Sequence, residues 1–365
     1  MESNEIRIKT GVAVGTGSVI LLVLLLWIGT TGTILLALAI KNLFPGVEMD
    51  TVLPIVMVVA ELAFFGILIA AGIQRVWIEP EGTCVTFGKK PLWGMEASQI
   101  RFLAIVNTDS ASAICLSGHT IEELAQMREQ QLRRNWLSKD EVPLRKRKVG
   151  WRETFAKECL LHELRWGLFS AFRPNGLVIL PGNMILLACI RALYPHLPYY
   201  NMTNIDRQYL GSNVPNRVPS PCGLDYDARI QPNGIYLDRF KKEVGFIPGS
   251  QIKTIVHLDY LCNRTNVDRA HTPAFMICTQ TVEELVATVP PNLFGTEIAR
   301  LGMDEETLAT ITCLETFRRW KGKDLGMCPL QDSPTIRQQL KEYYPHAKFV
   351  DLSDRWMKNS DISGG

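Results

Sequence analysis

A Ser-Gln-Ile step followed by a base occurs twice in this chain, in "ASQIRFLAI" from Ala97 and in "GSQIKTIVH" from Gly249. The match extends upstream at one constant separation. Ile78, Pro80 and Gly82 of "IEPEG" align with Ile230, Pro232 and Gly234 of "IQPNG". Downstream, Thr120 with Glu123 and Thr281 with Glu284 each follow an apolar run and have the spacing of a helix-starting capping box. "ETFAKECLLHELRW" from Glu153 parallels "ETLATITCLETFRRW" from Glu306, ending at Trp166 and Trp320. Tyr194-Pro195-His196 and Tyr344-Pro345-His346 then close each set, because proline cannot continue a helix. Landmarks repeated in one order require one unit built twice.

The expected organisation is therefore a first copy over 75–205, a Pro/Asn/Ser-rich linker over 206–222, a second copy over 223–353 and a frayed tail over 354–365. Within each copy, short apolar runs with Gly and Pro turns come first. A capped helix, a second helix, a short strand and a closing helix follow, which is an α+β arrangement with strands leading.

No charged residue stands between Gly11 and Ile40, and only Glu61 interrupts the run from Leu53 to Ile73. Stretches of about 20 or more apolar residues are long enough to cross a bilayer. They predict an N-terminal transmembrane hairpin, with a cytoplasmic segment over 1–11, helices over 12–41 and 53–74, and an external loop over 42–52. A cleaved signal peptide fits less well, since its apolar core would be about 7–15 residues. Arg7, Lys9 and Arg75 flank the runs while the loop holds Glu48 and Asp50. The positive-inside rule then places both termini in the cytoplasm of a multi-pass cell-membrane protein. Glu61, costly in hydrocarbon, is expected to pack on Thr30, Thr31 and Thr33 or on another copy of the chain, giving a homo-oligomer. A transporter or channel subunit centred on Glu61 is the alternative.

The hairpin followed by "I-x-P-x-G", a polar turn and an aromatic residue before "SQI" resembles bacterial pleckstrin-homology-like (PH-like) domains. The matching positions are 78–82, 93–100 and 183–193 in the first copy and 230–234, 246–252 and 335–344 in the second. The resemblance implies two barrels, here with helical insertions, each closed by a C-terminal helix. It further implies modules that bind lipid headgroups or partner proteins without chemistry of their own.

The copies differ in charge. Between Arg128 and Arg152 the bases Arg128, Arg133, Arg134, Lys139, Arg145, Lys146, Arg147, Lys148 and Arg152 face only Glu129, Asp140 and Glu141, with Trp136 and Trp151 flanking. The second copy has no such cluster. Arg133, Arg134, Arg145, Lys146, Arg147 and Lys148 are the candidate contacts for a partner or for anionic headgroups at a bilayer, where each base contributes about 1 kcal/mol. A net charge of +2 and the lack of any nucleic-acid motif argue against nucleic acid.

Catalytic signatures are missing: the sequence has no HExxH, GxSxG, Walker A or GxGxxG. Nine cysteines, an odd number without a CxxC pair, suit a reducing compartment and buried thiols rather than a metal. Cys159 and His162 share a helix face in one copy only and read as structural. No cofactor or metal is expected, and the function expected is binding or assembly. An enzyme with its site between the copies is the rival reading.

Overall fold

A computed structural model describes residues 6–12, 74–107, 112–134, 139–165, 175–202, 218–219, 227–239, 242–260, 272–319 and 326–352, with isolated positions between 24 and 59. Strand β1 (Ile8–Thr10), β2 (Gln74–Glu79), β3 (Gly82–Phe87) and β4 (Lys90–Glu96) form an antiparallel sheet in that order. Along β2, burial alternates with period two, so Val76 and Ile78 enter the core while Trp77 and Glu79 stay part-exposed.

The glycine of "IEPEG" is a steric requirement. Gly82 has φ +150°, and a Cβ there would lie 2.2 Å from the Met95 carbonyl oxygen. Gly234, its counterpart, has φ +152° and would meet the Ile247 carbonyl at 2.3 Å. Only a residue without a side chain suits such a turn.

The opening phrase forms a 3-10 turn over Ala97–Gln99 that buries Ile100 and delivers the chain into β5 (Phe102–Asn107) and β6 (Ser112–Ser117). Three helices follow, α1 (Ile121–Arg134), α2 (Glu141–Lys146) and α3 (Trp151–Arg165). Then come β7 (Leu177–Pro181), α4 (Met184–Leu193) and β8 (Tyr199–Met202). In this second sheet β6 lies antiparallel between β5 and β7, and β8 runs parallel to β5 on its other edge.

The second half has the same plan. β9 (Val218–Pro219), β10 (Asp227–Gln231), β11 (Gly234–Arg239) and β12 (Lys242–Pro248) form one antiparallel sheet. A 3-10 turn over Gly249–Gln251 leads to β13 (Thr254–Tyr260) and β14 (Thr272–Cys278). After α5 (Val282–Ala287), the small hairpin β15 (Asn292–Leu293) and β16 (Thr296–Glu297), and α6 (Glu305–Arg319), the chain forms β17 (Met327–Gln331), α7 (Pro334–Tyr343) and β18 (Lys348–Asp351). β14 again lies antiparallel between β13 and β17, with β18 parallel to β13.

Among the described residues no sheet closes into the PH-like barrels expected from the sequence. A strand has two edges, and those of β5 are taken by β6 and β8, those of β13 by β14 and β18. Neither strand has an edge left for the first sheet of its half. Among the described residues the result is four open four-stranded sheets and the small β15–β16 hairpin in a mixed α+β fold.

The transmembrane hairpin is also corrected. Its spans, 12–41 and 53–74, fall largely outside the described residues, and Glu61 lies outside them altogether. Among the described residues no helix is long and apolar enough to cross a membrane. The longest, α3 and α6, have 15 residues each. At 1.5 Å per residue that is about 22 Å, short of a hydrocarbon core of about 30 Å, and both helices carry charges. The two-span cell-membrane placement, with the orientation of the termini drawn from it, therefore has no support in the structure.

The halves share one core. Every residue of α4 from Met184 to Ile190 is buried, and the helix packs against α6 and the 3-10 turn Ile298–Leu301 of the second half. By contrast α7, its counterpart, buries only Ile336 and Leu340, the single stripe of a surface helix. Each closing helix is tied to its own first sheet by a tyrosine hydroxyl. Tyr194 donates to the Glu79 carbonyl, and Tyr344 donates to that of Gln231 at 2.6 Å. The N-terminal strand is also held from both sides, by its pairing with β2 and by the Lys9 N–H donating to the Phe294 carbonyl at 2.8 Å.

Candidate functional site

The helix α1 starts at the Thr120–Glu123 capping box, in which each residue's side chain accepts from the other's backbone N–H, at 3.2 and 2.8 Å. It packs along α3, and α2 crosses between them by burying Val142 beside Ala125, Leu132 and Phe155. This small core brings the candidate bases to one end of the helical layer and divides them into two sets.

Half of the candidates are engaged inside the protein. Glu129 takes Arg133 at 2.9 Å and Lys146 at 2.6 Å, and Glu158 takes Arg128 at 3.1 Å and Arg145 at 3.3 Å. Desolvation pushes the Glu129 carboxyl up, but hydrogen bonds from Lys146 and Arg133 outweigh it and hold the group below the ordinary glutamate range. Arg145 also covers the Phe155 ring at 5.9 Å, and Lys146 covers Trp151 at 5.2 Å. Arg128, Arg145 and Lys146 fasten the three helices together, while Arg133 pairs within α1.

The remaining candidates point outward. Arg134, Arg147 and Lys148, with Lys139 and Arg152, are exposed and make no ion pair among the described residues. The guanidinium of Arg152 lies over the Trp151 ring at 5.6 Å. Between these bases Leu144 is 58% exposed and Val149 fully so, on α2 and the turn that ends at Gly150. The surface therefore combines unneutralised cations with two protruding aliphatic side chains.

A second charge cluster escaped the sequence reading. His257 on β13 is 7% exposed, with Nε2 2.9 Å from Asp332 Oδ2 and Nδ1 3.1 Å from Asp351 Oδ1. Arg337 on α7 reaches the same two carboxylates, Asp351 at 2.9 Å and Asp332 at 3.4 Å. The imidazole and guanidinium both lie against the Phe275 ring, at 5.1 and 5.3 Å. Burial lowers the His257 pKa, but hydrogen bonds to Asp332 and Asp351 more than offset it and raise it to about 9. With both ring nitrogens occupied by carboxylates, the imidazole has no free position for a substrate proton. Among the described residues no group of His, Cys, Asp and Glu is arranged to hold a metal ion.

One signal for this cluster was present in the repeat. Ile105 stands opposite Asn201 in the first half where His257 stands opposite Asp351 in the second. Counted from the helix N-caps Asn183 and Ser333, Gly182 and Leu187 take the places of Asp332 and Arg337. Four charged residues thus replace Ile105, Gly182, Leu187 and Asn201, and the strand register shows that His257 and Asp351 among them face one another. No protein-family model matches the chain, and no curated protein matches it either.

Proposed function

We propose that the protein is a binding module, with no chemistry of its own, whose first half docks on anionic headgroups at a bilayer surface through α2 and the turn before α3. The observation that carries this reading is the exposed pair Leu144 and Val149 set among Arg134, Lys139, Arg147, Lys148 and Arg152. Water-exposed aliphatic side chains are most useful where a neighbouring phase can take them up, and the surrounding bases select an anionic one. Five bases near such a surface contribute about 5 kcal/mol, which salt would screen. Arg133, Arg145 and Lys146, which the sequence placed in the contact set, serve instead to hold that surface in shape.

The test is sedimentation of the full chain with vesicles of phosphatidylcholine alone or with added phosphatidylserine, at low and high salt. Phosphatidylserine is expected to strengthen binding at least tenfold at low salt and much less at high salt. Arg147→Glu with Lys148→Glu should remove that difference, and Val149→Asp should weaken binding at both salt levels. Equal binding to both vesicle types by the unmodified chain would refute the proposal.

A further inference from the structure

We propose that His257, Asp332, Asp351 and Arg337 form a proton-dependent latch that holds β18 on the edge of β13. β18 is a four-residue strand whose only strand partner among the described residues is β13. Such a strand has few backbone hydrogen bonds of its own and belongs to the part of a fold that opens locally. Its side-chain anchor is Asp351, directly opposite His257 in the ladder. The charged groups facing the imidazole are Asp332 from the turn between β17 and α7, Arg337 from α7, and Asp351 from β18, while β14 presents the uncharged Phe275.

With His257 protonated, two cations meet two carboxylates and both ring N–H groups donate. Loss of the proton removes a positive charge from between two carboxylates in a buried place and turns one ring nitrogen's lone pair toward a carboxylate oxygen. Arg337 cannot relieve this, since it already binds both carboxylates. The raised folded-state pKa fixes the direction. Stability from the latch is complete below the unfolded histidine value of about 6.5 and is lost as pH rises toward the folded value of about 9. Releasing β18 removes Asp351 but leaves Asp332 on the imidazole. The hold on β18 should therefore weaken by at least about tenfold between pH 6.5 and 9, short of the roughly 300-fold that full exposure of His257 would give.

The first half supplies a control within the same molecule. β8 pairs with β5 in the same parallel register, but Asn201 and Ile105 stand where Asp351 and His257 stand in the second half. Amide hydrogen exchange on the full chain, corrected for intrinsic rates, is expected to show protection of Lys348–Asp351 falling at least about tenfold from pH 6.5 to 9. Protection of Tyr199–Met202 should stay within about threefold over the same range. The His257 imidazole, followed by NMR, should titrate near pH 9. His257→Gln should remove the pH dependence of β18. If that variant does not fold, the comparison of β18 with β8 in the unmodified chain decides alone. Parallel behaviour of the two strands, or an imidazole that titrates near 6.5, would overturn the latch.

Discussion

Gly82 and Gly234 show how a single residue sets a turn that the rest of the sheet depends on. Each sits where a methyl group would overlap a backbone carbonyl, Met95 in one half and Ile247 in the other. Gly82→Ala and Gly234→Ala should therefore cost more than about 2 kcal/mol, since neither backbone partner can move aside. Gly302 also has positive φ, +60°, but a Cβ there meets nothing within 4 Å. Gly302→Ala should cost only the left-handed backbone penalty, about 1–2 kcal/mol. Urea denaturation of the three variants would test the ranking, and equal losses would mean that backbone conformation alone, not overlap, governs these positions. The turn glycines were legible as repeated "P-x-G" phrases. His257 was not, because a histidine in a strand carries no marker of what the next strand will place opposite it.

Two helices of matching position, α4 and α7, differ in how much of their surface the fold covers. "MILLACIRAL" is apolar around its whole circumference from Met184 to Ile190, with Arg191 in its last turn, and "PTIRQQLKEY" has one apolar stripe. The difference could be read from the sequence as a helix buried on all sides against a helix with one side in water. What covers α4 could not be read, because α6 is over a hundred residues away in the chain. Leu187→Ala should cost about 2–5 kcal/mol through cavity formation, whereas Lys341→Ala on α7 should change stability by less than about 0.5 kcal/mol. Thermal denaturation would distinguish them, and similar losses would contradict the burial of α4. The charge count of the basic stretch is a property of the chain, and the i,i+4 pair Arg133–Glu129 needs only α1 itself. The pairing of Arg128 and Arg145 with Glu158 and of Lys146 with Glu129 arises only when α1, α2 and α3 lie together.

At the scale of the molecule, the core that includes α4, β13 and α6 is continuous across both halves, and β1 is bound to β2 and to Phe294 at once. The described halves should then unfold together. Scanning calorimetry is expected to give one transition whose calorimetric and van't Hoff enthalpies agree. Leu187→Ala should move that transition as a whole, and two resolved transitions would mean that the halves are energetically separate. The strand-first α+β character follows from local signals, namely alternating apolar residues, "P-x-G" turns, capping boxes and helix-ending prolines, all of which act over a few residues. Barrel closure and membrane crossing were extrapolations beyond those signals. Closure failed because β8 and β18 occupy the edges that a barrel would need. The sequence alone determined the repeated order of elements, because turn, cap and alternation chemistry is local. Only the tertiary structure decided which edges pair, which bases remain free and that His257 is buried between two carboxylates, because these depend on residues brought together from far apart in the chain.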